Sequence, residues 1–253
     1  MRRPSATSTF AYSFGPGPLT PAIKAIVYAN VAVFLADWII ARAVGISLPD
    51  VFGLRPVAVV QGLQVWQVAT YMFLHGGVFH ILFNMLALWM FGVELERMWG
   101  SRFFTRFYFV CGIGAGIVQI VASLTPYGGS SWVVPTVGAS GAVYGVLLAY
   151  AMYFPNRPIY LYFVFPVPAK YFVMIMGAIA FLAAADGSGS GVAHMAHLGG
   201  LLVAYLYLKG GGRTPHLLSE IRYKYLKWRI NRMRRRFDVY SGGRANDVDR
   251  RVH

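Results

Sequence analysis

Fifty consecutive residues, Phe107 to Asn156, contain no Lys, Arg, Asp or Glu. A water-soluble domain draws about a quarter of its residues from those four types, so a run of this length cannot be the surface of one. The whole chain agrees. Of its 253 residues, 57% are hydrophobic and only 13% charged, and the mean hydropathy is +0.53. The sequence reads as an all-α polytopic membrane protein, because lipid leaves helices as the simplest way to satisfy the backbone.

Six apolar segments are visible, at about 21–44, 78–93, 105–124, 140–154, 169–185 and 192–208. Several fall short of the roughly 20 residues that cross a bilayer unaided. Short helices are tolerated where neighbours enclose their ends. Residues 1–20 are rich in Ser, Thr, Pro and Gly and read as a flexible cytoplasmic segment rather than a signal peptide. Residues 209–253 hold 13 of the 23 basic and 4 of the 9 acidic residues, making a strongly basic tail. Lys and Arg mark alternate connections, with Arg42 and Arg55 as the exceptions, so both termini are expected in the cytoplasm. The connection 45–77 is interrupted by Pro49 and Pro56 and is expected to hold short helical pieces at most, with Trp66 as an interfacial anchor.

Polar side chains are costly in lipid and usually functional there. Ser140 opens the fourth segment within Gly138-Ala139-Ser140-Gly141. A helix from there to Phe154 rises about 22 Å against a hydrocarbon core of about 30 Å. Ser140 is therefore expected below the outer boundary, reached by irregular backbone and accessible to water. Unpaired N–H groups at a helix start stabilise a developing oxyanion. Gly138 and Gly141 are expected to leave room for a substrate backbone. The competing reading is plain small-residue packing, since Gly141 and Gly145 form a GxxxG pair.

The sixth segment contains His194 and His197, and its N-terminal end shares the outer side with Ser140. His197 is preferred as the general base, because Gly199 and Gly200 allow close approach to the fourth segment. His194 fits a structural role. A metal shared by the two histidines would need a third ligand, and no carboxylate completes one; no cofactor is expected. His80 and Asn84, four apart on the second segment, share a helical face. They are either oxyanion donors or an interhelical hydrogen-bonded pair. Tyr144, one turn past Ser140, is a candidate to stack on the imidazole. No acidic residue is well placed for a triad: Asp37 lies in the first segment and Asp186 beyond the fifth, so a Ser–His dyad is the reading.

Taken together, His80-x-x-x-Asn84, Gly138-Ala139-Ser140-Gly141 and Ala196-His197-x-x-Gly200 resemble the rhomboid family of intramembrane serine proteases over about residues 21–208. The run from His75 to Met85 and the pair Glu96 and Gly100 also look like the family. The resemblance implies a six-helix bundle in the inner (plasma) membrane of a bacterium. It implies Ser140 as nucleophile, His197 as base and acid, and His80, Asn84 and the Ser140 N–H as the oxyanion hole. It implies transmembrane proteins as substrates. There are two departures: the first loop reads Trp66-Gln67 in place of Trp-Arg, and the last glycine of the sixth-segment pattern is Ala204. The alternative function is a catalytically inactive rhomboid-like factor that binds membrane proteins; the intact Ser140 and His197 argue against it. A transporter is disfavoured by the lack of an internal repeat.

In the tail, Tyr223, Leu226, Ile230, Met233 and Phe237 form one helical stripe among basic residues. This predicts an amphipathic helix on anionic lipid headgroups, in preference to nucleic acid.

Overall fold

The computed structural model describes residues 15–125, 129–161, 164–185, 194–210 and 227. The chain divides into two compact units, Met1–Gly210 and Gly211–His253. The predicted tail stripe and Asp186 lie outside the described residues.

Helix α1 spans Pro21–Val44. Pro21 suits a first helical position, where a missing N–H costs nothing. The free N–H groups behind it are capped from another helix: the Glu96 carboxylate accepts from Ala22 N at 2.8 Å and from Ile23 N at 3.0 Å. The same carboxylate accepts from Thr20 Oγ1, and from Ser101 Oγ at 2.6 Å. Only Ala22, Ile23, Ile26 and Asn30 are buried on α1, a single stripe. Most of the remaining surface is apolar and outward-facing, with Lys24, Asp37 and Arg42 as its charged residues.

The connection to the next long helix consists of short helical pieces, as expected. It contains α2 (Leu48–Phe52), α3 (Pro56–Val60), α4 (Gln67–Thr70) and a 3-10 turn at Tyr71–Phe73. Asp37 lies within α1, as expected, and accepts from Leu48 N at 2.7 Å, capping α2. Gln67 is fully buried. Its Nε2 donates to Val51 O at 3.1 Å and to Gln64 Oε1 at 2.7 Å, while its Oε1 accepts from Arg55 N at 3.0 Å. The departure from Trp-Arg is thus filled by an amide that holds the loop from inside. Trp66 is half exposed and donates to Val51 O at 3.4 Å.

Helix α5 (Val78–Trp99) turns into α6 (Ser101–Ser123) through Gly100 alone, at φ +81°. Helix α7 covers Ser140–Tyr153, α8 Ala169–Ala185 and α9 His194–Lys209. Between α7 and α8 lie two antiparallel strands, β1 (Pro158–Leu161) and β2 (Phe165–Pro168). The all-α expectation therefore needs one correction. Ile159 is β-branched and Tyr160 aromatic, which suits a strand. Helices α1, α5 and α6 are long and apolar enough to cross a membrane. Helices α7, α8 and α9, at 14, 17 and 16 residues, are shorter than a simple span.

Helix α7 is the centre of the bundle. Nine of its fourteen residues are buried, and it packs on α5, α6, α8 and α9. Its contact with α9 has no room for side chains: a Cβ on Gly200 would overlap the Gly141 carbonyl oxygen, and one on Gly145 would lie 3.3 Å from Gly200 O. Gly199, expected to face α7, instead packs on α6, where its Cβ would fall 2.7 Å from Val118 Cβ. Gly200→Ala must therefore force α7 and α9 apart. Overpacking of this kind costs about 1–3 kcal/mol, and thermal unfolding in detergent should show a clear drop in Tm. Gly177→Ala, facing only the movable Leu201 Cδ1 at 3.3 Å, should change it little.

Candidate functional site

Ser140 is the first residue of α7. The backbone that delivers it is held from the α1–α5 connection. Leu54 and Thr136 exchange two backbone hydrogen bonds at 2.9 and 2.8 Å, and Gly138 N donates to Tyr71 O at 2.9 Å. Tyr71 is itself fixed by its hydroxyl, which donates to Gly112 O of α6 at 2.6 Å. The helix start leaves N–H groups around Ser140 without intrahelical partners.

His197 lies one turn inside α9. Its Nε2 is 2.8 Å from Ser140 Oγ. Its ring stacks on Tyr144 with centroids 4.3 Å apart and planes 3° apart. Ser140 and Tyr144 are one turn apart on the same face of α7, so the imidazole lies along that face, its edge at the hydroxyl and its flat side on the phenol. Among the described residues no carboxylate is hydrogen-bonded to His197. Packing sets the ring's orientation instead. His194 is edge-on to His197 at 6.1 Å, and no third His, Cys, Asp or Glu among the described residues joins them into a metal-ligating group.

His80 approaches from α5. Gly76 N donates to its Nδ1 at 3.4 Å. In a neutral imidazole that leaves the proton on Nε2. A Cβ at Gly138 would sit 2.7 Å from His80 Nε2 and 3.6 Å from Ser140 Oγ. The missing side chain at 138 is thus the opening between a donor and the hydroxyl. Gly138 also has φ +127°, a backbone setting that favours glycine. Asn84, buried one turn further along α5, donates through Nδ2 to His80 O at 2.9 Å, which leaves its second N–H for another acceptor. His75 is buried and lies edge-on to His80 at 5.0 Å. Burial above all holds the His75 pKa down at about 4, so this neighbour is neutral at physiological pH.

The glycines divide differently from expectation. The Cβ position of Gly138 is bounded by His80 and faces Ser140 Oγ, whereas Gly141 is enclosed by helix packing and leaves no room for a substrate. A Cβ there would meet Ala115 Cβ at 2.6 Å, Tyr71 Oη at 3.3 Å and Ala196 O at 3.4 Å. Helix packing fills that space, and Gly200 closes it from the other side. Tyr71, Leu54 and Thr136 carried no signal in the sequence, since their roles are backbone contacts made across the fold. The site places a hydroxyl against an imidazole, with N–H donors on two sides of the gap. That arrangement suits nucleophilic attack on a carbonyl or phosphoryl centre. Gly138→Ala should close the gap and tilt His80 away. Loss of one such donor typically costs 100- to 1000-fold; the rate of Ser140 phosphonylation by a fluorophosphonate should fall by about that factor in a protein that still folds.

The Rhomboid domain family matches residues 62–213. Rhomboid protein 1, mitochondrial, of Saccharomyces cerevisiae is 36% identical over 140 residues, covering 53% of this chain and 38% of that protein. Rhomboid protease GluP of Bacillus subtilis is 33% identical over 178 residues, 67% of this chain and 32% of that one. Rhomboid protease AarA of Providencia stuartii is 30% identical over 169 residues, 60% and 58% of the two chains. The aligned region spans well under half the length of the first two relatives. The family match covers more than half of this chain and includes the segments that carry His80, Ser140 and His197, and on that ground the chain belongs to the rhomboid family of membrane proteins.

Proposed function

We propose that this chain is an intramembrane serine endopeptidase that hydrolyses peptide bonds in or near transmembrane segments of other proteins. The observation that carries the reading is the 2.8 Å contact of Ser140 Oγ with His197 Nε2, at the start of an apolar helix, in a family with members named proteases. His197 Nε2 takes the hydroxyl proton as Ser140 Oγ attacks the scissile carbonyl carbon. The carbonyl oxygen becomes an oxyanion, held by His80 Nε2–H, the Asn84 amide and the Ser140 backbone N–H. His197 then gives its proton to the departing amine nitrogen, leaving an acyl ester on Ser140. Water, deprotonated by His197, hydrolyses that ester and restores the hydroxyl. Tyr144 holds the imidazole in register throughout.

The substrate helix must enter from the lipid. Helix α8 buries only Ala169, Val173 and Ala180 and packs beside α9, which carries His197, so entry past α8 is the proposed route. A helical substrate hides its peptide bonds in its own hydrogen bonds, so local unwinding precedes cleavage, and helix-weakening residues in the substrate favour it. The proposed setting is a bacterial inner membrane with six spans and both termini cytoplasmic, resting on the alternation of Lys and Arg. The basic tail rests on anionic lipid headgroups. An inactive binding factor is the competing reading; it requires no Ser–His contact.

In proteoliposomes, the purified protein should cleave single-span membrane proteins at bonds near one end of the span, mapped by mass spectrometry. Ser140→Ala and His197→Ala should each lower cleavage by at least about 1000-fold, with the fold unchanged by circular dichroism. Equal cleavage by the wild type and Ser140→Ala would remove the assignment. Deleting residues 214–253 should leave cleavage in detergent intact; loss of activity in a folded truncation would show that the tail is part of the catalytic unit.

A further inference from the structure

The connection between α7 and α8 has no part in the chemistry above. From Pro158 to Ala169 it runs twelve residues without a charge, bracketed by Arg157 and Lys170. Its β1–β2 hairpin pairs Tyr160 with Pro166 and Leu161 with Phe165. Directly opposed residues share a face and successive pairs alternate, so Tyr160 and Phe165 lie on opposite faces. Both are exposed, at 57% and 63%, as is Val164 at the turn, at 65%. The outer half of the hairpin is therefore apolar on both sides. Near its base, Ile159 and Ala169 are buried.

In water this would be an unstable arrangement. A lone two-stranded hairpin is marginal without an apolar partner, and a large exposed apolar tip marks an interaction surface. Full immersion in hydrocarbon is also excluded, because both open edges of the two strands would carry unpaired backbone groups into lipid. The boundary between headgroups and acyl chains satisfies both demands: it is wet enough for the strand edges and apolar enough for the side chains. Tyr is a common interfacial residue. The flanking cations match the anionic phosphates of that layer. The Arg157 side chain ion-pairs with Glu94 near the end of α5, and Lys170 Nζ lies 5.0 Å from the Tyr171 ring. These contacts fix the hairpin at the end of α7 remote from Ser140, level with the α5–α6 joint, where Trp99 packs edge-on against Tyr153 at 5.4 Å.

We infer that the β1–β2 hairpin is a lipid-interface anchor. Tyr160, Val164 and Phe165 sit in the headgroup–acyl boundary of the leaflet away from Ser140, with Arg157 and Lys170 at the phosphate level. The hairpin leads directly into α8, so it tethers one end of a helix that buries only three of its seventeen residues.

Val164→Cys and Tyr160→Cys in the full-length protein, labelled with bimane and placed in vesicles of phosphatidylethanolamine and phosphatidylglycerol, test this directly. Cys111 is buried, so the unmodified protein serves as the labelling blank. Both labels should be quenched by lipids carrying a nitroxide near the headgroup. Both should lose most of the iodide quenching shown by the free bimane–cysteine adduct. Full iodide quenching without lipid quenching would put the tip in water and overturn the anchor. Shielding from both quenchers would mean that protein covers the tip, and would overturn it equally.

Discussion

Everything at the reactive site depends on how closely α7 and α9 approach. The carbonyl oxygen of Gly141 occupies the space that a side chain at position 200 would need. That approach brings His197, one turn before Gly200 on α9, against both Ser140 and Tyr144 on α7. A hydroxyl and an imidazole on separate helices keep a 2.8 Å contact only while the helix axes are held in place, and in lipid such contacts rest on close van der Waals packing rather than on the hydrophobic effect. Partial burial of the pair has a second consequence. Polar interactions strengthen where water is scarce, so an imidazole oriented only by packing can serve where a soluble enzyme would use a carboxylate to orient it.

The opposite wall of the site is built by a different device. The backbone before Ser140 is irregular, and irregular backbone at this depth must be satisfied by protein. Leu54 and Tyr71 supply those partners. Gln67 and Asp37 hold the short helices of the same connection in place. The connection between α1 and α5 thus supports the backbone that carries Ser140, and Glu96 anchors the start of α1 against α5 and α6 in the same way at the other end of the bundle. Among the described residues, Glu96, Asp37 and Gln67 serve to hold helix ends and loops together.

Much of this was legible in the sequence because membrane helices write themselves in long apolar runs. The bounds of α1 and α8 match the apolar segments, and α5 and α6 extend beyond theirs into Glu94, Glu96, Arg102 and neighbouring residues that hydropathy alone excludes. The meeting of Ser140, His197 and Tyr144 followed from spacing and from a shared end of the bundle. The role of Gly141 did not: a small residue beside a serine looks the same whether it makes room for a ligand or for Ala115. The support from Tyr71, Leu54 and Thr136 was invisible because backbone hydrogen bonds carry no residue preference. The β1–β2 hairpin was hidden because a short apolar run has no period that separates a strand from buried helix.

The central claim is that the imidazole of His197 activates the hydroxyl of Ser140. The most direct measurement is the mass of the peptide containing residue 140 after brief exposure of the membrane-embedded protein to a small organofluorophosphate. The account predicts a stoichiometric adduct on Ser140 in the unmodified protein and almost none in His197→Ala over the same time. An adduct that forms at the same rate in His197→Ala, or that appears on another residue, would contradict it.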